Sequence, residues 1–154
     1  MDFNPDIHHR RSIRIKEYDY SQEGIYFITI CCKNRGNILG NINEAKVELN
    51  QFGQILHKEL ISFNTRYSNS NILKYVVMPD HIHFVIQLKS NNTKTIGDII
   101  KTYKSITNKK INKIISMEVW QRNYYEHIVR NEKELYNIYE YIENNPINWK
   151  YKTK

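Results

Sequence analysis

The sequence predicts a single α+β domain over residues 1–154, with an antiparallel sheet of the ferredoxin-like, RRM-like plan. The first observation is the order of the predicted elements: strand, helix, strand, strand, helix, strand and one appended C-terminal helix. The second is the length, which suits one domain, with no internal repeat or linker. The third is the composition, because 40% hydrophobic and 25% charged residues exclude collagen-like and disordered chains. We expect helices on one face of the sheet and a functional site on the other.

The first predicted strand is followed by an irregular segment and a helix. Residues 25–32, Ile-Tyr-Phe-Ile-Thr-Ile-Cys-Cys, are β-branched and aromatic, as is typical of a buried central strand. Residues 34–43 contain two glycines and four asparagines and predict a loop or an irregular hairpin. A helix is predicted from Asn50, because apolar residues recur there at helical spacing, at Phe52, Ile55, Leu56, Leu60 and Phe63.

Two more strands and a second helix follow. Strands are predicted over Ile72–Met78 and Ile82–Leu88, on either side of Pro79-Asp80. Helical spacing returns over Thr95–Asn112, where the apolar side is formed by Ile96, Ile99, Ile100, Tyr103 and Ile106.

The C-terminal part is predicted to hold two short strands and the appended helix. Val119–Trp120 and Tyr124–Val129 have the β-branched and aromatic composition of strands. The last helix is predicted from about Glu132 to Asn144, with Asn131 as its N-cap. Pro146 is expected to end it.

The chain is strongly basic, with 23 Lys and Arg residues against 16 Asp and Glu residues and a net charge of +7. A folded domain with this charge favours a polyanionic partner, and nucleic acid is the first candidate. The candidate DNA contacts are Arg10, Arg11, Arg14 and Lys16 in a basic N-terminal arm (residues 1–20), and Lys101, Lys104, Lys109 and Lys110 in the second helix. For the helix, an ordinary solvated face is the alternative.

Cysteine usage and hydropathy predict a soluble, cytoplasmic protein. Cys31 and Cys32 are adjacent, so we expect neither a disulfide between them nor a zinc site. This usage indicates a reducing compartment. No apolar run of a signal peptide follows Met1, and no stretch approaches the roughly 20 apolar residues of a membrane span.

A His-x-His sequence after Pro79-Asp80 is the first candidate for chemistry. Side chains alternate between the faces of a strand, so His81 and His83 share one face while Ile82 and Phe84 point to the other. Two imidazoles in this arrangement can both bind one divalent ion. The alternative is a pair of surface histidines at the start of a strand, and the spacing alone does not decide between the two.

The last helix supplies a candidate nucleophile and a candidate third ligand. Its predicted apolar stripe consists of Leu135, Ile138, Tyr139 and Ile142. Tyr141 and Asn145 are four residues apart on one flank of this stripe, so one can act as a nucleophile while the other binds a metal through its amide oxygen. Packing is the alternative for both residues. Tyr139 is expected in the core, and Tyr136 lies on the opposite flank.

Five segments, in this order, carry a resemblance to a known family. They are Arg11-Ser12-Ile13-Arg14 continuing to Gly24-Ile25-Tyr26-Phe27-Ile28-Thr29-Ile30, Met78-Pro79-Asp80-His81-Ile82-His83, Gly97-Asp98-Ile99-Ile100 with Tyr103-Lys104-Ser105, Trp120-Gln121-Arg122-Asn123-Tyr124-Tyr125-Glu126-His127, and Tyr141-Ile142-Glu143-Asn144-Asn145-Pro146. From Arg10 to about Trp149, the chain resembles the REP-associated tyrosine transposases, a branch of the HUH single-strand transposases.

The resemblance implies a role for each candidate residue. His81 and His83 match the pair that binds the catalytic cation, Mg²⁺ or Mn²⁺. Asn145 matches the third metal ligand, where the insertion-sequence branch more often has Gln. Tyr141 matches the nucleophile, which forms a 5′-phosphotyrosine with DNA. Asp80 stands where Asn is at least as common, and no effect of this difference is expected.

The predicted function is that of a metal-dependent transposase that cleaves and rejoins single-stranded DNA at a hairpin, a REP-like palindrome. Insertion-sequence relatives deliver the tyrosine across a dimer, so a homodimer is a further expectation. The rival hypothesis is a catalytically inactive or domesticated nucleic-acid-binding module on the same fold. An RRM-type RNA binder is a weaker variant of it, because histidines stand where stacking aromatics are expected. Metal dependence separates the two hypotheses, since binding to a phosphate backbone survives a chelator.

Overall fold

The computed structural model describes residues 23–89 and 94–149. The strands are β1 (Gly24–Cys31), β2 (Gly40–Asn43), β3 (Lys46–Leu49), β4 (Ser70–Val77), β5 (His81–Leu88) and β6 (Tyr125–Val129). The helices are α1 (Gln51–Arg66), α2 (Ile96–Asn112) and α3 (Glu132–Asn148). None of these described helices is long and apolar enough to cross a membrane. The basic arm with Arg10, Arg11, Arg14 and Lys16 lies outside the described residues, so its DNA contacts stay predictions.

Four strands form one antiparallel sheet in the order β4-β5-β1-β6. β1 and β5 are central, and β1 pairs with β5 along one side and with β6 along the other. If these four strands are numbered 1 to 4 along the chain, their order across the sheet is 2-3-1-4. This is the ferredoxin-like arrangement, so the predicted fold class is confirmed.

Two helices cover one face of this sheet, which we call the packed face. The central strands contribute alternate apolar side chains to it, namely Tyr26, Ile28, Ile30, Ile82, Phe84, Ile86 and Leu88. α1 and α2 contribute Leu56, Leu60, Phe63, Ile99, Ile100 and Tyr103. Asn50 caps α1, and Thr95 and Asp98 form a capping box at α2, so both helices begin where backbone donors are satisfied.

α3 covers the opposite face, which we call the site face. Phe27 and Val85 of the central strands pack there with Tyr125, Ile138 and Ile142 in a second, smaller cluster. The appended helix therefore covers the face on which the functional site was expected. Apolar residues of β1 and β5 lie on both faces, and the apolar stripe of α3 buries Phe27 and Val85, which α1 and α2 do not reach.

The predicted irregular hairpin lies further along the chain than residues 34–43. A 3₁₀ turn occupies Lys33–Arg35. The hairpin is formed by β2 and β3, which pair antiparallel with Gly40 opposite Leu49 and Asn43 opposite Lys46. Its turn residues Glu44 and Ala45 both have positive φ angles. A two-residue turn of this type favours Asn-Gly or Asp-Gly, and neither dipeptide is present to mark it in the sequence.

Two predicted features near the C-terminus differ from the structure. Val119–Trp120 is not a strand, because among the described residues it forms only an isolated bridge, between Trp120 and Cys32 just after β1. Pro146 does not end α3, which continues to Asn148. The fixed φ of proline is compatible with a helix, and the Pro146 oxygen accepts a hydrogen bond from the backbone nitrogen of Trp149 at the end of α3.

Candidate catalytic centre

The two histidines of β5 lie with their Nε2 atoms facing each other, 3.0 Å apart. The Nδ1 atom of each ring has its own hydrogen-bond partner. The Nδ1 atom of His81 is 2.6 Å from a carboxylate oxygen of Asp80, and that of His83 is 2.8 Å from the hydroxyl of Thr29 on β1. Partners at Nδ1 fix the orientation of an imidazole and leave Nε2 as the coordinating atom. Both Nε2 atoms therefore converge on one point.

Asp80 is in turn held by Arg35 from the 3₁₀ turn. The Nε atom of Arg35 donates to the second carboxylate oxygen of Asp80 at 2.9 Å. Burial by itself raises the pKa of Asp80, but the hydrogen bonds and charges of His81 and Arg35 outweigh it and hold this pKa below its ordinary value. The carboxylate thus links Arg35 to His81, and the expectation that Asp in place of Asn has no effect stays a prediction.

Tyr141 on α3 packs directly against this histidine pair. Its ring lies edge-on to His83, with the centroids 5.3 Å apart, and edge-on to Phe27 at 6.2 Å. The other two tyrosines of the helix are elsewhere. The Nζ atom of Lys74 lies over the ring of Tyr139, 6.0 Å from its centroid, and Tyr136 is 63% exposed. Of these three tyrosines, Tyr141 is the one for which the described residues show a contact with a histidine ring, and its role as the nucleophile stays a prediction.

Asn145 lies one turn beyond Tyr141 on the same side of α3. Its amide nitrogen donates to the backbone oxygen of Tyr141, and its buried Oδ1 has no hydrogen-bond partner among the described residues. One further turn on, Trp149 stacks on His81 with the ring centroids 6.2 Å apart. Tyr141, one turn before Asn145, contacts His83, and Trp149, one turn after it, contacts His81. Because Asn145 lies between these two residues on one side of the helix, it faces the histidine pair.

These groups fit a divalent cation. Ligands about 2.1 Å from one octahedral ion stand roughly 3 Å apart, which matches the separation of the two Nε2 atoms. A buried amide oxygen without a donor, such as that of Asn145, is a suitable third ligand. Within residues 23–89 and 94–149, no group of three or more His, Cys, Asp or Glu side chains could hold a metal ion. The candidate site therefore depends on the amide.

The centre is closed to solvent. His81 is 2% exposed and His83 is fully buried, which is inconsistent with the alternative of surface histidines. The Tyr141 Oη atom is also buried. Trp149 stacks on His81 and Tyr141 of α3 packs against His83, so aromatic rings cover both imidazoles.

The basic residues predicted on α2 have different environments. Lys101 and Lys109 are exposed, as expected of phosphate contacts. Lys110 pairs with the buried Glu59 of α1. Lys104 is half-buried and donates to the backbone oxygens of Gln121, Arg122 and Asn123, at 2.8 to 3.3 Å. It therefore holds the loop before β6, and its contact with DNA stays a prediction.

Sequence reasoning missed several residues that contact the histidines or their partners, among them Thr29, Arg35 and Trp149. Thr29 and Arg35 are distant in sequence from His81 and His83, and only the pairing of β1 with β5 brings Thr29 opposite His83. Trp149 could have been found, since it repeats the four-residue spacing that joins Tyr141 to Asn145. Because the helix was expected to end at Pro146, the spacing was not followed as far as Trp149.

The sequence matches the family of IS200-like transposases over residues 21–145. A Haemophilus influenzae protein of uncharacterised function is 38% identical over 168 aligned residues, covering 96% of this chain and 93% of its own. A second Haemophilus influenzae protein, provisionally assigned as a REP-associated tyrosine transposase, is 27% identical over 84% of this chain and 73% of its own length.

Two solved structures share the fold. One is a REP-associated tyrosine transposase bound to a REP hairpin, with a TM-score of 0.68 and 21% identity over 89% of this chain and 74% of that chain. The other is a Deinococcus radiodurans protein provisionally assigned as a transposase, with a TM-score of 0.55 and 19% identity over 85% of this chain and 95% of that chain.

Proposed function

The chain belongs to the family of IS200-like transposases, and we propose that it cleaves and rejoins single-stranded DNA with Tyr141 as the nucleophile. The observation that carries this proposal is the contact between Tyr141 and His83, whose Nε2 atom converges with that of His81. A phenol beside a pair of metal-ligating imidazoles is the arrangement that nucleophilic attack on a phosphodiester needs.

In the proposed cleavage step, the Tyr141 oxygen attacks the phosphorus of a DNA phosphodiester. The new bond joins phosphorus to Oη, and the bond from phosphorus to the 3′ oxygen breaks. The phenolic proton is lost and the departing 3′ oxygen gains one, which leaves a 5′-phosphotyrosine and a free 3′-OH. Attack by another 3′-OH reverses these changes and rejoins DNA without an external source of energy.

The remaining side chains hold the reacting groups in place. Thr29 and Asp80 orient the two imidazoles, Arg35 orients Asp80, and the backbone of α3 places Asn145 one turn from the nucleophile. We propose that His81, His83 and Asn145 bind a divalent cation, Mg²⁺ or Mn²⁺. Such an ion supplies positive charge that polarises the phosphate and offsets negative charge in the transition state.

We propose a DNA hairpin with a single-stranded flank as the substrate. The net charge of +7 favours a polyanion, and the similar fold of a transposase bound to a REP hairpin supports this class of DNA. Tyr141 contacts a histidine of its own chain, and we propose that one chain supplies all the catalytic groups. A homodimer stays a prediction.

The test is a denaturing gel that detects protein attached covalently to DNA. Labelled single-stranded hairpins from the DNA flanking the gene are mixed with protein in Mn²⁺ or in EDTA. We expect a covalent band in Mn²⁺ alone, absent from Tyr141→Phe and His83→Ala. Tyr139→Phe is the matched control and keeps the band, because this tyrosine is on the same helix but next to Lys74.

Two outcomes contradict the proposal. A band that persists in Tyr141→Phe places the nucleophile elsewhere. Tight binding that is unaffected by EDTA, with no covalent band on any hairpin, favours the rival hypothesis of a nucleic-acid-binding module.

A further inference from the structure

Trp149 lies in the candidate centre, but the proposed function gives it no role. It follows Asn145 by four residues at the end of α3, and its indole stacks on the His81 ring with the centroids 6.2 Å and the planes 29° apart. The residue is 9% exposed. The indole is therefore buried against a proposed metal ligand.

The stacked indole restricts a motion of His81 that its hydrogen bond alone does not. Asp80 is 2.6 Å from the Nδ1 atom, but a single hydrogen bond at the edge of a ring still allows the ring to rock. A flat indole against the face of the imidazole opposes this rocking, which moves the His81 Nε2 atom relative to that of His83. The hydrogen bond and the stack together keep the two Nε2 atoms convergent.

His83 has the same two kinds of support. Its Nδ1 atom is hydrogen-bonded to Thr29, and Phe27 stacks on its ring with the centroids 5.4 Å and the planes 21° apart. Phe27 belongs to β1, whereas Trp149 follows α3. Two distant parts of the chain thus supply one aromatic ring to each imidazole, which supports a role for these rings in holding the histidines.

The stack on His81 should become stronger when this residue binds a cation. An imidazole that donates electrons to a dication carries more positive charge, and the electron-rich face of an indole attracts positive charge. The contact with Trp149 then favours the metal-bound form of His81 over the metal-free form. Such a difference between the two states contributes to affinity, whereas an equal contact in both states cancels.

We propose that Trp149 is a positioning residue of the catalytic centre and strengthens its binding of the divalent cation. This inference rests on the proposed function, which assigns the cation to His81, His83 and Asn145. The indole acts through His81. Because it follows the helix that carries Asn145 and Tyr141, the same contact also holds the third proposed ligand and the proposed nucleophile beside the histidines.

The first test is a calorimetric titration with Mn²⁺, which measures metal affinity without DNA. Trp149→Leu keeps an apolar side chain but removes the aromatic ring, and we expect it to bind Mn²⁺ about twofold to tenfold more weakly, the range that an aromatic pair contributes. Trp149→Phe keeps a ring and should lose less. Trp120→Phe is the matched control and should keep the affinity, because Trp120 packs with Tyr103 on the packed face.

The second test uses the fluorescence of the two tryptophans in the chain. In Trp120→Phe the remaining indole is Trp149, and paramagnetic Mn²⁺ should quench its emission as the site fills. In Trp149→Phe the remaining indole is Trp120, and its emission should change little. Equal quenching in the two proteins, or none in Trp120→Phe, overturns the inference. This test does not need Trp149→Leu, so it decides the matter if that variant does not fold.

The titrations also separate this inference from the proposed function. Equal affinity for Mn²⁺ in the wild-type protein and in folded Trp149→Leu overturns the role of Trp149 and leaves the proposed cation site intact. An equal loss in Trp149→Leu and Trp149→Phe also overturns it, because the loss then does not come from stacking. A wild-type protein that binds no Mn²⁺ contradicts the proposed cation site itself, and the inference fails with it.

Discussion

The two faces of the sheet are covered in different ways, although the same two central strands form both. On the packed face, Tyr26, Ile28, Ile82 and Phe84 meet two helices and form an apolar core. On the site face, Thr29 and the histidines alternate with these residues and meet a single helix. The side chains of adjacent residues in one strand thus lie on opposite faces, one in an apolar core and the next in a polar centre.

This difference shows how a small domain can bury polar groups at little cost to stability. Each imidazole on the site face has a hydrogen-bond partner at Nδ1, so its desolvation is partly offset. The large apolar area that stabilises the fold lies on the other face. Substitutions on the two faces should therefore have different effects.

Two neighbours in β5 give the largest expected contrast. His83→Ala should lower the rate of covalent adduct formation about a thousandfold, since a bound cation contributes several kcal/mol to such a step. Ile82→Ala should lower the free energy of unfolding by about 2–5 kcal/mol and leave the folded protein active. Chemical denaturation and the adduct gel measure both quantities. If Ile82→Ala loses activity while fully folded, the separation of the faces is wrong.

Removing the carboxylate behind His81 should have the next largest effect. Asp80→Ala is expected to lower the affinity for Mn²⁺ by about tenfold to a hundredfold, as is usual when a partner of a metal-ligating histidine is lost. Asp80→Asn keeps an acceptor for the ring and should lose less. Calorimetric titration with Mn²⁺ checks the order, and equal affinities in all three proteins would show that Asp80 does not position His81.

Two buried phenylalanines, one on each face, allow a matched comparison. Phe27→Leu and Phe84→Leu should each lower the free energy of unfolding by about 1–2 kcal/mol. Phe27 touches both His83 and Tyr141, so its loss should also slow adduct formation, by about tenfold. Phe84→Leu should leave this rate unchanged. Similar rates for the two variants would show that Phe27 does not support the catalytic centre.

The smallest expected effect concerns a buried charge in the helix layer of the packed face. Burial raises the pKa of Glu59, but Lys110 and Arg66 outweigh it and lower this pKa below its ordinary value of 4.5. The unfolded chain then binds more protons, so the stabilisation is complete above pH 4.5 and is lost as the pH falls through the lower folded pKa.

Glu59→Gln should therefore reduce the free energy of unfolding at pH 7 by about 1 kcal/mol, a modest value because both partners are partly exposed. The difference from the wild-type protein should shrink at acidic pH. Denaturation measured across this range is the check, with Glu118→Gln as the control, because Glu118 pairs with Lys33 at the surface. A difference that grows in acid would contradict the sign of the pKa shift.

The long elements could be predicted from the sequence because their hydrophobic periods are strong. β1, β5 and the three helices lie close to the predicted positions, and the order of elements was sufficient for the fold class. The position of the hairpin of β2 and β3 was predicted only in part, because its strands are short and half polar and the Glu44-Ala45 turn lacks a glycine.

Residues of the candidate centre could be predicted to lie together only where they are close in sequence. Strand alternation places His81 with His83, and helical spacing places Tyr141 with Asn145. The contacts of Thr29, Arg35 and Lys104 depend on pairings between distant parts of the chain, which one sequence does not reveal.

The Tyr141 oxygen is buried, and its ring packs against His83. If the proposed strand transfer takes place, DNA has to supply binding free energy to expose this oxygen. We therefore expect DNA that binds weakly to stay uncut. DNA that fits well should bind with a lower apparent affinity, because part of its binding energy drives the opening.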